Sequence, residues 1–189
     1  MDEPLTATLV SGAQSGDTGA RDALYERYFQ RVLSIVRVRM GGLLRSRMES
    51  QDLVQSVMLE SLKDLGAFEY RTEGAFLHWL STLAERKIRD KVDYLGAQKR
   101  NASRETSIRE EPSANRSHSP SGLVAQAEEL LRLEEGIRTL PKDQAELVVM
   151  SKLEGLSHQE IARMTGKTPD AVRMAVARAV LRLSEAMGA

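Results

Sequence analysis

The fold of this chain is decided by SHQEIARMTGKTPDAVRMAVARA, residues 157–179. Ser157 stands three residues before Glu160, the spacing of a capping box, so we predict that a helix begins there. Gly166 is expected to end it, because glycine readily takes the left-handed conformation found at helix C-termini. Pro169 suits the first position of a second, longer helix. A short helix, a tight turn and a longer helix are typical of a helix-turn-helix, although an ordinary helical hairpin in a bundle fits the pattern equally well.

The composition limits what the rest of the chain can be. Its 189 residues can hold one or two small domains with their own cores. The hydrophobic content of 41% with only 4% aromatic residues suggests helices packed by aliphatic side chains. Basic and acidic residues balance at a net charge of +0. This balance argues against a wholly basic nucleic-acid binder, so any contact with DNA must come from local patches or from base stacking.

The sequence also argues against several functional classes. The absence of cysteine excludes disulfides and thiolate metal sites and is compatible with a reducing cytosol. No stretch approaches the roughly 20 apolar residues of a membrane span, and MDEPLTATLV lacks the basic region of a secretory signal. The histidines are scattered, and there is no Gly-rich phosphate loop, nucleophile motif or metal-spaced cluster. We therefore expect a cytoplasmic protein that is not an enzyme and needs no cofactor.

Helical periodicity predicts an all-α fold of two small helical domains joined by a flexible linker. In the first domain, residues 5–100, helices are expected over about 6–44, with a break at 12–19, and then over about 50–65 and 75–99. Residues 101–122 are rich in serine and almost free of apolar side chains, so they cannot bury enough surface to order themselves. The second domain spans residues 123–187, and no strand pattern is present in the sequence.

One face of the second predicted helix has an unusual member. On a helical wheel Leu59 lies among polar residues, with Asp52 and Gln55 one turn away. A single exposed leucine is ordinary, so a solvated helix face is the favoured interpretation on this evidence alone. The alternative is a surface that binds a partner.

The third predicted helix and the loop before it combine aromatic, hydroxyl and basic side chains. The helix has Trp79 at the edge of its core face, and its polar side carries Thr82, Arg86 and Arg89. The loop carries Phe68, Tyr70, Arg71 and Thr72. An indole beside basic groups can stack on an unpaired base. A half-buried core tryptophan is favoured on residue type alone.

These blocks, in this order, resemble the sigma-70 family of bacterial RNA polymerase sigma factors, of the extracytoplasmic-function type. ALYERYFQRVLSIVRVRMG, Ala23 to Gly41, resembles the opening helix of the family's region 2. The stretch from Asp52 to Asp90, with its DLVQ, aromatic loop and F-x-x-W-L, is similar to the remainder of that region. The stretch from Leu140 to Leu183, with its E-G-L-S step and E-I-A helix, resembles region 4. The likeness covers nearly the whole chain except the linker.

The resemblance implies a subunit that directs promoter recognition and DNA melting. It implies that Asp52, Gln55 and Leu59 dock the clamp helices of the largest polymerase subunit, that the flap of the second subunit is also bound, and that an anti-sigma factor is a candidate partner. Residues implied to recognise and hold the −10 element are Phe68, Tyr70, Arg71, Thr72, Trp79, Thr82, Arg86 and Arg89. Residues implied to face the −35 element are Thr168, Arg173, Met174, Ala177 and Arg178.

The sequence departs from the family pattern at two places. Ser56 stands where an acidic residue often follows the DLVQ glutamine, and two basic residues common in the recognition helix are missing between Asp170 and Val180. Each lost phosphate contact weakens the affinity for DNA and makes that affinity less dependent on salt concentration. The two missing basic residues are therefore expected to weaken binding to the −35 element.

Two further hypotheses accompany the sigma-factor interpretation. A conventional helix-turn-helix regulator would bind a palindromic duplex tightly by itself, whereas an initiation factor would bind weakly or not at all without polymerase. In addition, the polar linker and the apolar surfaces that it joins suggest that the two domains fold on each other, or are held by an anti-sigma partner, in an inactive state.

Overall fold

The computed structural model describes residues 5–102 and 124–187, and every regular element in these ranges is helical. The first domain contains α1 (Thr6–Gln14), α2 (Thr18–Arg39), α3 (Gly42–Arg45), α4 (Ser50–Asp64) and α5 (Glu73–Ala102). The second contains α6 (Val124–Thr139), α7 (Lys142–Val148), α8 (His158–Thr165) and α9 (Pro169–Met187). A 3-10 turn, Leu65–Ala67, follows α4, and a π-helical turn, Val149–Leu153, follows α7. The predicted all-α class is confirmed.

The predicted linker, 101–122, lies outside the described residues except for its first two positions, which continue α5. The predicted break in the first helix is narrower than expected, because only residues 15–17 separate α1 from α2. Asp17 closes that gap by accepting hydrogen bonds from the Gly19 and Ala20 amides as the N-cap of α2. Within the described residues no helix is both long and apolar enough to cross a membrane.

The core of the first domain lies where α2, α4 and α5 pack together, with α1 against α2. Leu53 and Val57 of α4 and Leu77 and Leu80 of α5 are fully buried there, as their helical spacing predicts. Tyr28 of α2 is equally buried, and its hydroxyl lies 2.7 Å from that of Thr6 in α1. Burial raises the pKa of Tyr28 to about 12, so the phenol stays neutral.

The ends of α8 and α9 in the second domain are fixed by capping residues that can be recognised in the sequence. The Ser157 hydroxyl accepts the Glu160 N–H, and the Glu160 carboxylate accepts the Ser157 N–H at 2.8 Å, which confirms the capping box. Gly166 takes φ 68° and ends α8. The Thr168 hydroxyl accepts the Ala171 N–H at the start of α9. Met164 of α8 is 47% exposed, whereas Ile161 and Ala162 of the same helix are buried.

The two domains pack against each other through the C-terminal half of α2. Ile35, which the sequence places in one continuous stripe with Val32 and Val36, is fully buried in the hydrophobic cluster of the second domain. Val38 packs against the same cluster. The apolar stripe on α2 therefore packs into the cores of both domains. One side of it contacts α4 and α5, and the other side contacts α6 and the π-helical turn.

Candidate nucleic-acid interface

Three aromatic rings form the centre of the predicted −10 surface. Trp79 of α5 is half-buried, and its ring lies 4.7 Å from that of Phe68 at an interplanar angle of 31°. Phe76, one turn earlier in α5, lies 5.7 Å from Trp79 and 5.3 Å from Phe68. The structure thus places Phe68 of the loop beside Trp79 of the helix, and the indole packs against two phenylalanine rings.

A glutamine that the sequence reasoning missed holds this loop in place. The side-chain amide of Gln14, at the end of α1, donates to the carbonyls of Leu65 at 2.9 Å and Phe68 at 2.8 Å. Both acceptors lie on the turn that carries Phe68 toward Trp79. No pattern in the sequence links Gln14 to a loop more than 50 residues away.

The rest of the loop divides between the core, solvent and the second domain. Tyr70 is half-buried against the core, and burial raises its pKa. Arg71 is exposed and pairs with Glu69 at 3.0 Å. The Thr72 hydroxyl accepts the Ala75 N–H as it caps α5, and it donates to the carboxylate of Glu160 in α8 at 3.2 Å.

The polar side of α5 has the same divided character. Thr82 is exposed and donates back to the carbonyl one turn earlier. Arg86 pairs with Glu60 of α4. Arg89 lines a cleft of about 900 Å³ between the domains, opposite Lys142 and Asp143. The predicted −10 residues therefore do not form one continuous surface, because Arg86 leans toward α4 and Arg89 toward the second domain.

The predicted polymerase surface on α4 lies free of the core. Asp52 and Gln55 are exposed, and Leu59 is 63% exposed. Their spacing of three and four residues places all of them on one helix face, opposite buried Leu53 and Val57. An apolar side chain framed by polar ones fits both interpretations offered by the sequence.

The predicted −35 surface is the outer face of α9. Met174 is 48% exposed, and Ala177 and Arg178 are exposed beside it. Arg173 is also exposed and pairs with Asp170 at 3.4 Å, one turn before it. The opposite face, with Val172, Val176, Ala179 and Leu183, is buried in the second domain. These side chains share an arc of α9 that faces away from the protein, as a groove-reading helix requires.

A buried group of charges, which no sequence pattern predicts, lies between the domains. Glu154, after the π-helical turn, is fully buried, and it receives Arg39 of α2 at 2.9 Å and the His78 Nδ1 of α5 at 2.6 Å. Arg39 also pairs with Glu146 at 2.9 Å and with Glu85. Burial by itself raises the pKa of Glu154, but the hydrogen bond with His78 and the charge of Arg39 hold it below its ordinary value. The sequence around Glu154, SKLEGL, mixes charged and apolar residues and gives no local signal that this acid is buried.

A second buried carboxylate lies elsewhere in the same interface. Glu134 of α6 is 2% exposed, with Arg37 of α2 at 3.8 Å and Arg138 at 3.5 Å. Burial raises its pKa, and the more distant cations only partly offset this. The Arg138 guanidinium also donates to the Arg37 carbonyl at 3.3 Å.

Known protein families match both domains of this chain. Residues 24–100 match the family model described as Sigma-70 region 2, and residues 130–183 match that of Sigma-70, region 4. The ECF RNA polymerase sigma factor SigD of Mycobacterium tuberculosis is 30% identical over 178 residues, covering 94% of this chain and 81% of that protein. The RNA polymerase sigma factor CarQ of Myxococcus xanthus is 31% identical over 171 residues, covering 90% and 92%.

A solved structure shares the fold. The structure of CnrH in complex with the cytosolic domain of CnrY superimposes with a TM-score of 0.56 at 20% identity, covering 94% of each chain. Each of the two matched sequence regions contains one of the candidate DNA-facing surfaces, the aromatic loop in the first and the outer face of α9 in the second.

Proposed function

We propose that the two domains of this chain recognise different promoter elements through chemically different surfaces. The premise is that the chain belongs to the sigma-70 family of RNA polymerase sigma factors, as an extracytoplasmic-function member. The protein is an RNA polymerase-binding sigma factor, and its partners are the polymerase and promoter DNA. A conventional regulator that binds duplex DNA alone is not favoured, because both region models match in one chain.

The first domain recognises the −10 element and holds it open. The observation that carries this proposal is the close contact of the Phe68 and Trp79 rings, 4.7 Å apart and tilted by 31°, beside an exposed loop. Stacking of an unpaired base on an aromatic ring contributes roughly 1–3 kcal/mol and needs no excess of positive charge, which suits a protein with a net charge of +0. A flipped base stacks against this aromatic group, and the loop from Phe68 to Thr72 closes over it.

The second domain docks on the −35 element with α9 in the major groove. Arg173 and Arg178 are long cations on its outer face, and Met174 and Ala177 supply apolar contact between them. Thr168, at the helix start, is placed to donate its hydroxyl to a phosphate. Because these groups are few, this contact orients the protein more than it supplies affinity.

The exposed face of α4 docks the clamp helices of the polymerase, with Leu59 as its apolar centre and Asp52 and Gln55 as its polar rim. Such an arrangement is typical of protein interfaces, where an apolar anchor is surrounded by polar groups. The flap of the second polymerase subunit binds the second domain, and the protein acts in the cytoplasm without catalysing a reaction itself. An anti-sigma factor is a further expected partner.

Run-off transcription tests this function. Core polymerase is incubated with a pool of promoter fragments, with and without the protein, and the free protein is tested separately for binding to the same fragments. We expect specific new transcripts only when both polymerase and protein are present, and little binding by the protein alone. Absence of transcripts together with tight, salt-sensitive binding of the free protein to a palindromic duplex would overturn the proposal.

A further inference from the structure

Helix α1 lies next to the loop that carries the proposed base-stacking surface, residues 68–72. This helix precedes residues 24–100, which match the region 2 family model. Its side chains Leu9, Val10 and Ala13 are buried in the core of the first domain, where α1 packs against α2. The position of α1 is therefore set by the core, and polar groups on this helix can serve as fixed points for the loop.

The start of the loop is held by Gln14, the last residue of α1. The side-chain amide of a glutamine has two N–H donors. The Gln14 amide donates to the Leu65 carbonyl at 2.9 Å and to the Phe68 carbonyl at 2.8 Å. The Phe68 N–H donates to the same Leu65 carbonyl at 3.0 Å, so one amide group fixes the turn before the loop. The backbone of Phe68 is thereby fixed where its ring meets that of Trp79 at 4.7 Å.

The end of the loop is held from the other end of α1. Thr6 is buried, and its hydroxyl lies 2.7 Å from that of Tyr28 in α2. The Tyr28 hydroxyl donates to the carboxylate of Glu73 at 3.3 Å. Glu73 begins α5, directly after the loop, and it also pairs with Arg31. Thr6 and Gln14 lie about 12 Å apart along α1 and thus act on the two ends of one loop.

Between these two held ends the loop has few backbone hydrogen bonds of its own. Within the part of the chain that the structure describes, no backbone hydrogen bond joins Glu69, Tyr70 or Arg71 to another backbone group. Such a segment is ordered by its ends and by side-chain packing, and fixing a free backbone costs conformational entropy. Without α1 that cost would fall on the step in which an unpaired base is captured.

We propose that α1 is a positioning element for DNA opening. Gln14 sets the place of Phe68 beside Trp79, and Thr6 is a second, indirect anchor at the far end of the loop. Gln14 touches no DNA itself and acts only through the backbone of the loop, so it is a positioning residue. The role of the loop in capturing a base rests on the proposed function, whereas the position of the loop can be measured in the free protein.

Gln14→Glu tests this inference with little change of shape. It replaces two N–H donors by a carboxylate, which accepts hydrogen bonds only and repels the carbonyls of Leu65 and Phe68. Gln14→Ala removes the contact without adding a charge. Gln30→Glu is the matched control, because Gln30 is also an exposed helical glutamine, on α2, and in the described residues its side chain has no hydrogen bond to the loop.

The first measurement is the fluorescence of Trp79 in the full chain without polymerase. Trp79 is the single tryptophan of the sequence, so the emission reports the surroundings of this ring alone. We expect red-shifted emission and stronger quenching by acrylamide in both Gln14 variants, because Phe68 no longer covers the indole. Thr6→Val, which keeps the shape and removes the hydroxyl, should give a smaller shift in the same direction. Gln30→Glu should match the wild-type protein, and circular dichroism should show unchanged helix content in all variants.

The second measurement separates DNA opening from promoter binding. Polymerase complexes of the same variants are saturated with promoter, and the permanganate reactivity of −10 thymines is measured alongside binding. We expect both Gln14 variants to lose about fivefold or more of the reactivity at saturation, with promoter binding within about twofold of wild type, because two neutral hydrogen bonds that order the loop are lost. Gln30→Glu should open DNA as the wild-type protein does.

Wild-type emission in both Gln14 variants, or an equal shift in Gln30→Glu, would overturn the positioning role of α1. A shifted emission with undiminished opening would overturn it as well, since the place of the loop would then not matter for base capture. An equal loss of binding and opening would indicate a general structural defect and would also contradict it. If the wild-type protein opens no promoter with polymerase, the function proposed above fails, while the emission of Trp79 still decides whether Gln14 positions the loop.

Discussion

The two candidate DNA surfaces differ in how much of their chemistry is already engaged within the protein. On α5, the Trp79 ring packs against that of Phe68, and Arg86 is paired with Glu60. On α9, Met174 and Arg178 face outward. The edges of bases in a duplex are presented in the groove, so reading them needs only exposed side chains. An unpaired base can instead be captured by stacking on an aromatic ring, and the partly exposed rings of Phe68 and Trp79 offer such a surface.

This difference predicts unequal consequences of substitution. Changes in the aromatic group of the first domain should affect DNA opening, whereas changes on α9 should affect docking and leave opening intact.

Trp79→Ala should give the largest effect, reducing open-complex formation roughly 5- to 150-fold, which corresponds to the loss of one stacked base worth about 1–3 kcal/mol. Permanganate reactivity of −10 thymines in the polymerase complex measures it. Trp79→Phe keeps an aromatic face and should recover most of the activity. Because Trp79 also packs on the core, thermal unfolding of both variants must accompany the assay. Equal losses in the Ala and Phe variants at equal stability would contradict a stacking role.

Leu59→Asp should weaken binding to core polymerase about tenfold or more, because it places a charge where an apolar anchor is expected to be buried. Titration of labelled protein with core enzyme gives the dissociation constant. Leu43→Asp is the matched control, since Leu43 is a leucine of similar exposure, 56%, on a different helix, α3. If both substitutions weaken binding to the same extent, or neither does, α4 is not the docking surface.

Arg178→Ala should reduce −35-dependent binding several-fold and flatten its salt dependence by roughly 0.9 in the log–log slope, as expected for one lost phosphate contact. Binding of the polymerase complex to a duplex carrying only the −35 element, at several salt concentrations, measures this. Arg182→Ala is the control on the same helix, because Arg182 donates to Gln144 of α7 at 2.9 Å. If Arg178→Ala reduced thymine reactivity at −10 more than it reduced duplex binding, the two surfaces would not have the different roles proposed for them.

Ser157→Ala should have the smallest functional effect, because it removes a cap that shapes the helix-turn-helix but does not face DNA. Loss of an N-cap typically costs about 1 kcal/mol of stability. The hydrogen bonds from Ser157 hold the pKa of Glu160 below its ordinary value of 4.5. Their stabilisation is thus present above that value and is lost as the pH falls through the lower, folded-state pKa.

Chemical denaturation of wild-type and Ser157→Ala protein between pH 7 and pH 3 checks this sign. The difference in unfolding free energy should shrink toward acid pH. A difference that grows as the pH falls would mean that the Glu160 carboxylate is not held by the cap.

Local signals made much of the fold predictable. The capping box at Ser157, the left-handed Gly166 and the Pro169 start each depend on residues within a few positions, so the sequence displays them directly. The exposure of Leu59 on α4 follows equally from one helical wheel. Both are consequences of backbone geometry alone.

Long-range partners were not predictable in the same way. Periodicity placed Ile35 on an apolar stripe but could not say which of two cores would take it. The pairing of Arg39 with Glu154 joins residues 115 positions apart, and helical spacing carries no information about such a partner. The same holds for Gln14, whose two hydrogen bonds to the −10 loop depend on how α1 packs. For the candidate sites, the sequence therefore indicated the residue types and the helix faces on which they lie. Their hydrogen-bond and ion-pair partners are seen only in the folded structure.

The most direct test of the division between the two surfaces uses 2-aminopurine placed at the base of the −10 element that is first unpaired. Its fluorescence is followed when polymerase with wild-type, Trp79→Ala or Arg178→Ala protein binds the promoter. We predict that the wild-type signal changes on opening, that Arg178→Ala needs more protein but reaches the same final signal, and that Trp79→Ala binds without reaching it. A full opening signal with Trp79→Ala, or a reduced final signal with Arg178→Ala at saturation, would contradict the account.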